Sequence, residues 1–173
     1  MEKYIPDMYQ KSIYTIDYEK LKSNGIKCIL LDLDNTLVPA SIDYPTKKNI
    51  ELINQLKEMG FKVILFSNSP KKRLKPFKDE LQIDASASSM KPLKRKFLKV
   101  LNEYKYAQNE VAIIGDQLLT DVLGGNKVGI TTILVNPVSS KDLIFTSLNR
   151  YLENRIIKKL SSNNLFTRGK YYE

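Results

Sequence analysis

Short apolar runs alternate with longer amphipathic ones along this chain. Residues 27–33 read Lys-Cys-Ile-Leu-Leu-Asp-Leu, an apolar run after Gly25 that predicts a buried strand. Residues 46–59 place Ile50, Ile53, Leu56 and Met59 at helical spacing. Gly60 follows, where a helix C-terminus favours a residue of positive φ. A second apolar run, 61–66, is closed by Ser67-Asn68-Ser69-Pro70. Residues 71–81 predict a short helix that Pro76 interrupts or starts late. A weak third strand is expected over 84–89. A helix is expected over 92–104, with Leu93, Phe97, Val100, Leu101 and Tyr104 on one side. A strand at 111–115, a short helix at 118–127 and a last strand at 130–135 complete the pattern.

Strands alternating with helices predict an α/β architecture: a three-layer, Rossmann-like core, with a parallel sheet of about five strands covered by helices on both faces. The spacings leave room for the crossovers that parallel neighbours need. Ligands of such sheets bind outside the carboxyl ends of the strands. Attention therefore falls on the residues that close each apolar run: 32–36, 67–69, Lys91 and 116–121.

Composition narrows the chemistry. The 173 residues suit one domain, with the core expected over about 26–138 and a C-terminal helix and tail over about 141–173. There is no histidine, which removes Ser-His-Asp and Cys-His catalysis and most zinc sites. Cys28 is the only cysteine; it sits in an apolar run and reads as a small core residue in a reducing compartment. Carboxylates, lysines, hydroxyls and a bound metal are left to do chemistry. The net charge of +9 favours anionic partners such as phosphates, nucleic acid or an acidic membrane surface. No leader peptide or membrane-spanning run is evident, so a soluble or peripheral protein is expected.

Asp32 and Asp34 lie two residues apart after the first strand, on one side of an extended chain. Two carboxylates buried together need a cation, a shared proton or solvent. Magnesium suits such oxygen ligands. Thr36 can hydrogen-bond locally as the chain turns. Ser67 and Asn68, after the second strand, can donate to a phosphoryl oxygen. Lys91 precedes Pro92, which favours a helix start, so its cation is expected near a positive helix terminus. After the fourth strand Gly115 allows a tight turn, and Asp116 and Asp121 supply two more acids to a metal site. Singly these signals are weak; their order, each closing an apolar run, is specific.

In that order they resemble the haloacid dehalogenase superfamily of phosphatases. The match runs through Asp32-Leu33-Asp34-Asn35-Thr36, Ser67, Lys91 and Gly115-Asp116 with Asp121, over about residues 26–138. The resemblance implies that Asp32 attacks phosphorus to form an aspartyl phosphate, and that Asp34 is the acid and then the base. It implies that Asp32, Asp116 and the Asp34 backbone carbonyl hold Mg²⁺, with Asp121 supporting, and that Ser67 and Lys91 bind the phosphoryl oxygens. The gaps between motifs leave no room for a large cap domain, which implies an open site for a large substrate. The entry Gly25-Ile26-Lys27, with Ser67-Asn68-Ser69 and the segment 115–121, is similar to the capless YqeG-type group of subfamily IIIA. That group is related to the mitochondrial phosphatidylglycerophosphate phosphatase. It implies conversion of phosphatidylglycerophosphate to phosphatidylglycerol by a cytoplasmic protein, peripheral on the inner membrane face.

Other substrates stay open: a nucleic-acid end, a phosphoprotein or a sugar phosphate. So does a non-catalytic nucleic-acid-binding protein on the same fold, although such a protein would not need the nucleophile. In the C-terminal segment Leu148, Leu152, Ile156 and Leu160 recur every fourth position and predict a helix, with Lys141, Arg150, Arg155, Lys158, Lys159, Arg168 and Lys170 against Asp142, Glu153 and Glu173. Arg155 and Lys159 fall within or beside the stripe. The helix either snorkels at a bilayer surface or packs on the sheet with a frayed tail. Lys71, Lys72, Arg73 and Lys75 follow Ser67 and either attract an anionic head group or are a solvated face.

Overall fold

The structure is a computed structural model that describes residues 1–139 and 144–173, with the side chains of 144–148 left aside. Six strands form one sheet: β1 (Met8–Gln10), β2 (Cys28–Leu31), β3 (Lys62–Phe66), β4 (Asp84–Ser86), β5 (Val111–Gly115) and β6 (Thr131–Val135). Their order is β1-β6-β5-β2-β3-β4, and every adjacent pair is parallel. The helices are α1 (Tyr18–Ser23), α2 (Lys47–Glu58), α3 (Lys71–Leu81), α4 (Lys94–Tyr104), α5 (Leu123–Val128) and α6 (Ile144–Ser162).

Period-two alternation divides the sheet between two cores. Ile29 and Leu31 of β2 join Leu52, Ile53 and Leu56 of α2 and Leu74 and Phe77 of α3 on one face. Cys28 and Leu30 join Phe97 and Val100 of α4 and Val128 of α5 on the other. Both sides of each central strand are thus covered, which is why these strands read as continuous apolar runs.

The chain runs outward through β2, β3 and β4, then returns across the sheet to β5 and β6. The direction of travel reverses between β2 and β5, and a crevice opens at the carboxyl ends of those two strands. Asp32 follows β2 and Asp116 follows β5. Only a loop and α2 separate β2 from β3, and only α3 and β4 lie between β3 and Lys91, so no large cap covers the crevice.

Most boundaries follow the sequence reading, and the departures have local causes. Thr46 caps α2 by accepting from the Asn49 N–H, and Gly60 beyond it has φ +92°. α3 runs unbroken through Pro76, because the proline sits in the second turn and the carbonyl it leaves belongs to exposed Lys72. α4 starts at Lys94 rather than residue 92, leaving Leu93 as an exposed N-cap. The segment 118–127 opens as a π-helical turn, Leu118–Val122, before α5. The sixth strand, β1, is three residues long and carries no alternation to reveal it; pairing with β6 makes it a strand.

The C-terminal helix packs on the sheet. Ile157 and Leu160, with Phe166 beyond the helix, enter a third core around Tyr9, Leu118, Val122 and Leu134. The buried row is Glu153, Ile157 and Leu160, the i, i+4, i+7 line of a real helix, so Leu152 is exposed and Arg155 and Lys159 face solvent. Leu148 of the expected stripe, with Lys141 and Asp142, lies outside the residues and side chains described. The tail does not fray: Tyr172 and Tyr9 exchange backbone hydrogen bonds of 2.9 Å each way. Among the described residues no helix is long and apolar enough to cross a membrane.

Candidate active site

Asp32 continues the β2 ladder through its N–H to the Ile114 carbonyl at 3.0 Å, which aims its side chain into the crevice. Its carboxylate is buried. Lys91 Nζ donates to Asp32 Oδ1 at 2.7 Å, to Asp121 Oδ1 at 2.6 Å and to the Phe66 carbonyl at 2.9 Å. Those three bonds use all three ammonium protons. Thr36 Oγ1 sits between two acids, 3.2 Å from Asp32 Oδ2 and 3.1 Å from Asp116 Oδ1, sharing one proton between them. Asp32, Asp116 and Asp121 each offer an oxygen within 4.8 Å of the others.

Gly115 makes this cluster possible. A Cβ there would lie 2.1 Å from Asp121 Cγ, so the Asp121 carboxylate rests directly on the glycine backbone. The π-helical turn brings Asp121 back to that point, and the carboxylate accepts from the Gln117 N–H at 3.2 Å. Three clustered acids facing Lys91 and one arginine still leave a negative charge, and their donors are all oxygen. That set fits a hard divalent cation.

Burial pushes the Asp32 carboxyl well above the usual range, with Lys91 pulling it back and Asp121 and Asp116 adding to the rise. Asp116 is raised for the same reason, with Arg150 opposing. For Lys91 burial acts downward, but Asp121 and Asp32 outweigh it and hold the ammonium charged.

The Asp34 carboxylate stands outside this cluster. Ser69 Oγ donates to its Oδ2 at 2.6 Å, and Arg73 donates to its Oδ1 through Nε at 3.1 Å and a terminal nitrogen at 2.9 Å. Ser67 is buried and its Oγ accepts from the Ser69 N–H at 3.1 Å. Asn68, expected to face phosphate, is engaged elsewhere. Its Oδ1 accepts from the Lys91 N–H at 2.7 Å, and its Nδ2 donates to the Lys91 carbonyl at 3.2 Å. Asn68 therefore holds the Lys91 backbone in place. Lys91 itself lies three residues ahead of α4 and points inward, so its charge acts through Asp32 and Asp121 rather than beside a helix terminus.

Arg73, Arg150 and Glu153 have no site role in the sequence reading, and Ser69 falls within the 67–69 segment it singles out but without a role. In the sequence Arg73 reads only as one charge in a basic run. Arg150 comes from α6 and donates to the Asp116 carboxylate, and to the Asp116 carbonyl at 3.0 Å. Glu153, one turn on, accepts from Arg150 at 3.3 Å and from the Leu119 N–H at 3.0 Å. Burial raises its carboxyl to about 7 against the pull of Leu119 and Arg150. The available signal was an acid in the apolar row of α6, three residues after an arginine.

A cavity of about 550 Å³ opens elsewhere, lined by Asp7, Asn24, Asn126 and Gly129, and none of the motif acids line it.

The chain is 41% identical over 157 residues to the Bacillus subtilis (strain 168) protein described as "Probable phosphatase YqeG", covering 91% of each. It is 28% identical over 167 residues to Phosphatidylglycerophosphate phosphatase 1, chloroplastic/mitochondrial, of Arabidopsis thaliana; this spans 90% of the chain but 47% of the plant protein. The fold matches the cobalt-bound deoxy-D-mannose-octulosonate 8-phosphate phosphatase of Haemophilus influenzae, with a TM-score of 0.53 and 15% identity over 84% of this chain and 95% of that one. The family model described as "Mitochondrial PGP phosphatase" matches residues 1–139. With an aspartate pair following β2, Lys91 between two acids and Gly115-Asp116 at the end of β5, the chain belongs to that family of phosphatases, together with the YqeG protein of Bacillus subtilis.

Proposed function

We propose that the chain is a Mg²⁺-dependent phosphomonoester hydrolase that works through an aspartyl phosphate on Asp32 and converts phosphatidylglycerophosphate to phosphatidylglycerol. The observation that carries the chemistry is the convergence of Asp32, Asp116, Asp121 and Lys91 in an uncapped crevice. An Asp32 oxygen attacks phosphorus while the bond from phosphorus to the leaving oxygen breaks, and Asp34 gives that oxygen its proton. Asp34 then takes a proton from water, whose oxygen attacks phosphorus and releases Asp32 and inorganic phosphate. Lys91 holds Asp32 in line and neutralises phosphoryl charge. Ser67 donates its hydroxyl proton to a phosphoryl oxygen, a role supported by its bond with Ser69, which uses only a lone pair. Asp32, Asp116, Asp121 and the Asp34 carbonyl would hold Mg²⁺, which when bound neutralises charge on the phosphoryl oxygens.

The lipid substrate is supported by the family match, by the plant relative's name and by the open crevice. In this reading the whole chain acts as one catalytic unit, cytoplasmic and peripheral on the inner membrane face. The test compares phosphate release from phosphatidylglycerophosphate in anionic vesicles, soluble phosphomonoesters and a 3′-phosphorylated oligonucleotide, with and without Mg²⁺. Lipid turnover is expected to dominate and to vanish in Asp32→Asn with folding intact. Full activity of Asp32→Asn overturns the mechanism; preference for a soluble ester or the oligonucleotide overturns the substrate.

A further inference from the structure

We propose that the turn carrying Lys91, together with the first turns of α3 and α4, is a docking surface for an anionic phospholipid bilayer; this rests on the lipid-substrate reading and gives it a contact face. The Leu93 N–H donates to the Met90 carbonyl at 2.9 Å, which closes a turn over residues 90–93. Lys91 points inward from that turn to Asp32. Met90 and Leu93 point the other way and are 59% and 52% exposed. Met90 holds a φ of +53°, a conformation that a bulky side chain rarely adopts. The turn is pinned behind it, since Ser88 and Ser89 donate backbone hydrogen bonds to the carbonyls of Ser69 and Ser67. Two apolar side chains are therefore fixed outward one and two residues from the lysine that grips the nucleophile.

The surroundings are basic. Residues 67–78 and 85–102 contain no acid, while Lys71, Lys72, Lys94, Arg95, Lys96 and Lys99 fall within them. All strands are parallel, so α3 and α4 both begin at the carboxyl edge that carries Asp32. A cavity of about 500 Å³ lies between Met90, Leu93 and the side chains of Arg95, Lys96 and Lys99. Lys96 and Lys99 also line a second cavity with Lys71, which makes the surface continuous from α4 to α3; Glu103 is the one acid among three lysines in that lining. Apolar tips inside a basic rim match the interfacial zone of an anionic bilayer, where apolar groups enter the acyl boundary and lysines meet phosphates. A nucleic-acid strand would instead call for exposed aromatic faces, and the tips here are Met and Leu.

The test uses the whole chain and the double variant Met90→Asn with Leu93→Asp. Asn tolerates positive φ and Asp is a good helix N-cap, so both changes suit the local backbone. Flotation is measured with vesicles of equal phosphatidylglycerol and phosphatidylcholine, and with phosphatidylcholine alone. Hydrolysis of para-nitrophenyl phosphate is followed in parallel. The wild-type chain is expected to bind the anionic vesicles selectively and to release them at high salt. The double variant is expected to bind at least about tenfold more weakly while its soluble turnover is unchanged. If it loses soluble turnover as well, Lys94→Glu with Arg95→Glu, favourable at a helix N-terminus, replaces it with the same expectation. Unaltered vesicle binding by the variants overturns the proposal. So does stronger wild-type binding to a single-stranded oligonucleotide that the variants share. Phosphatidylglycerophosphate in detergent micelles separates the two readings. Micellar turnover with unaltered vesicle binding sinks only the surface, and vesicle binding lost as expected without micellar turnover sinks only the substrate.

Discussion

Gly115 is defined by what it lacks. The Asp121 carboxylate occupies the space of its missing Cβ, so the cluster of acids closes only around a glycine. Gly115→Ala is expected to cost about 1–3 kcal/mol of stability through overpacking. Displacement of Asp121 should also lower divalent-cation affinity and phosphate release by about ten- to a hundredfold, the usual effect of disturbing support around a metal site. Urea unfolding and a cation titration check the two effects separately. Unchanged values in both would mean that Asp121 moves aside at no cost. Asn68 makes the same point about residues: its type suggested a phosphate contact, but both ends of its amide are spent on the Lys91 backbone.

Among the elements, α6 stands apart, because a helix from the far end of the chain reaches the carboxyl edge of β5. Arg150 and Glu153 tie it to Asp116 and to the π-helical turn, while Ile157 and Leu160 anchor it in the third core. Removing one member of a buried charged set leaves the others without compensation, and that costs more than the set itself contributes. Arg150→Met is therefore expected to destabilise the protein by about 3 kcal/mol, and adding Glu153→Gln should recover part of the loss. A double-mutant cycle in urea measures this coupling. Strict additivity of the two changes would show that Arg150 and Glu153 act independently.

For the molecule as a whole, burial sets a pH dependence. Asp32, Asp116 and Glu153 are all held above the ordinary carboxylate range, chiefly by desolvation. An acid whose folded pKa is raised binds its proton more tightly in the folded state. Its contribution is complete below the unfolded value and is lost as pH rises through the folded one. For Glu153 that window runs from 4.5 to about 7, and its loss is on the order of 3 kcal/mol. In chelator the melting temperature is expected to fall from mildly acidic pH to about neutral pH and to level off above it. Added Mg²⁺ should restore it most at the alkaline end, because ligand carboxylates must be deprotonated. A melting temperature that rises across this range in chelator contradicts the assignment.

The parallel α/β plan and the acids that follow β2 and β5 are legible in the linear chain. Their signals are local: apolar runs flanked by turn residues, and a glycine beside an aspartate. The linear chain also shows that no large cap fits between the motifs, which follows from chain length alone. The rest depends on contacts between distant segments. β1 is a strand only because β6 lies beside it, and its three residues carry no periodicity of their own. Arg73 meets Asp34 across 39 positions of sequence, and Arg150 meets Asp116 across 34. Such pairings depend on which helix starts at which sheet edge, and no local pattern encodes that. The inward turn of Lys91 and the outward turn of Met90 and Leu93 have the same origin: a buried ammonium must find its acids, and a turn of four residues then leaves its flanks facing solvent.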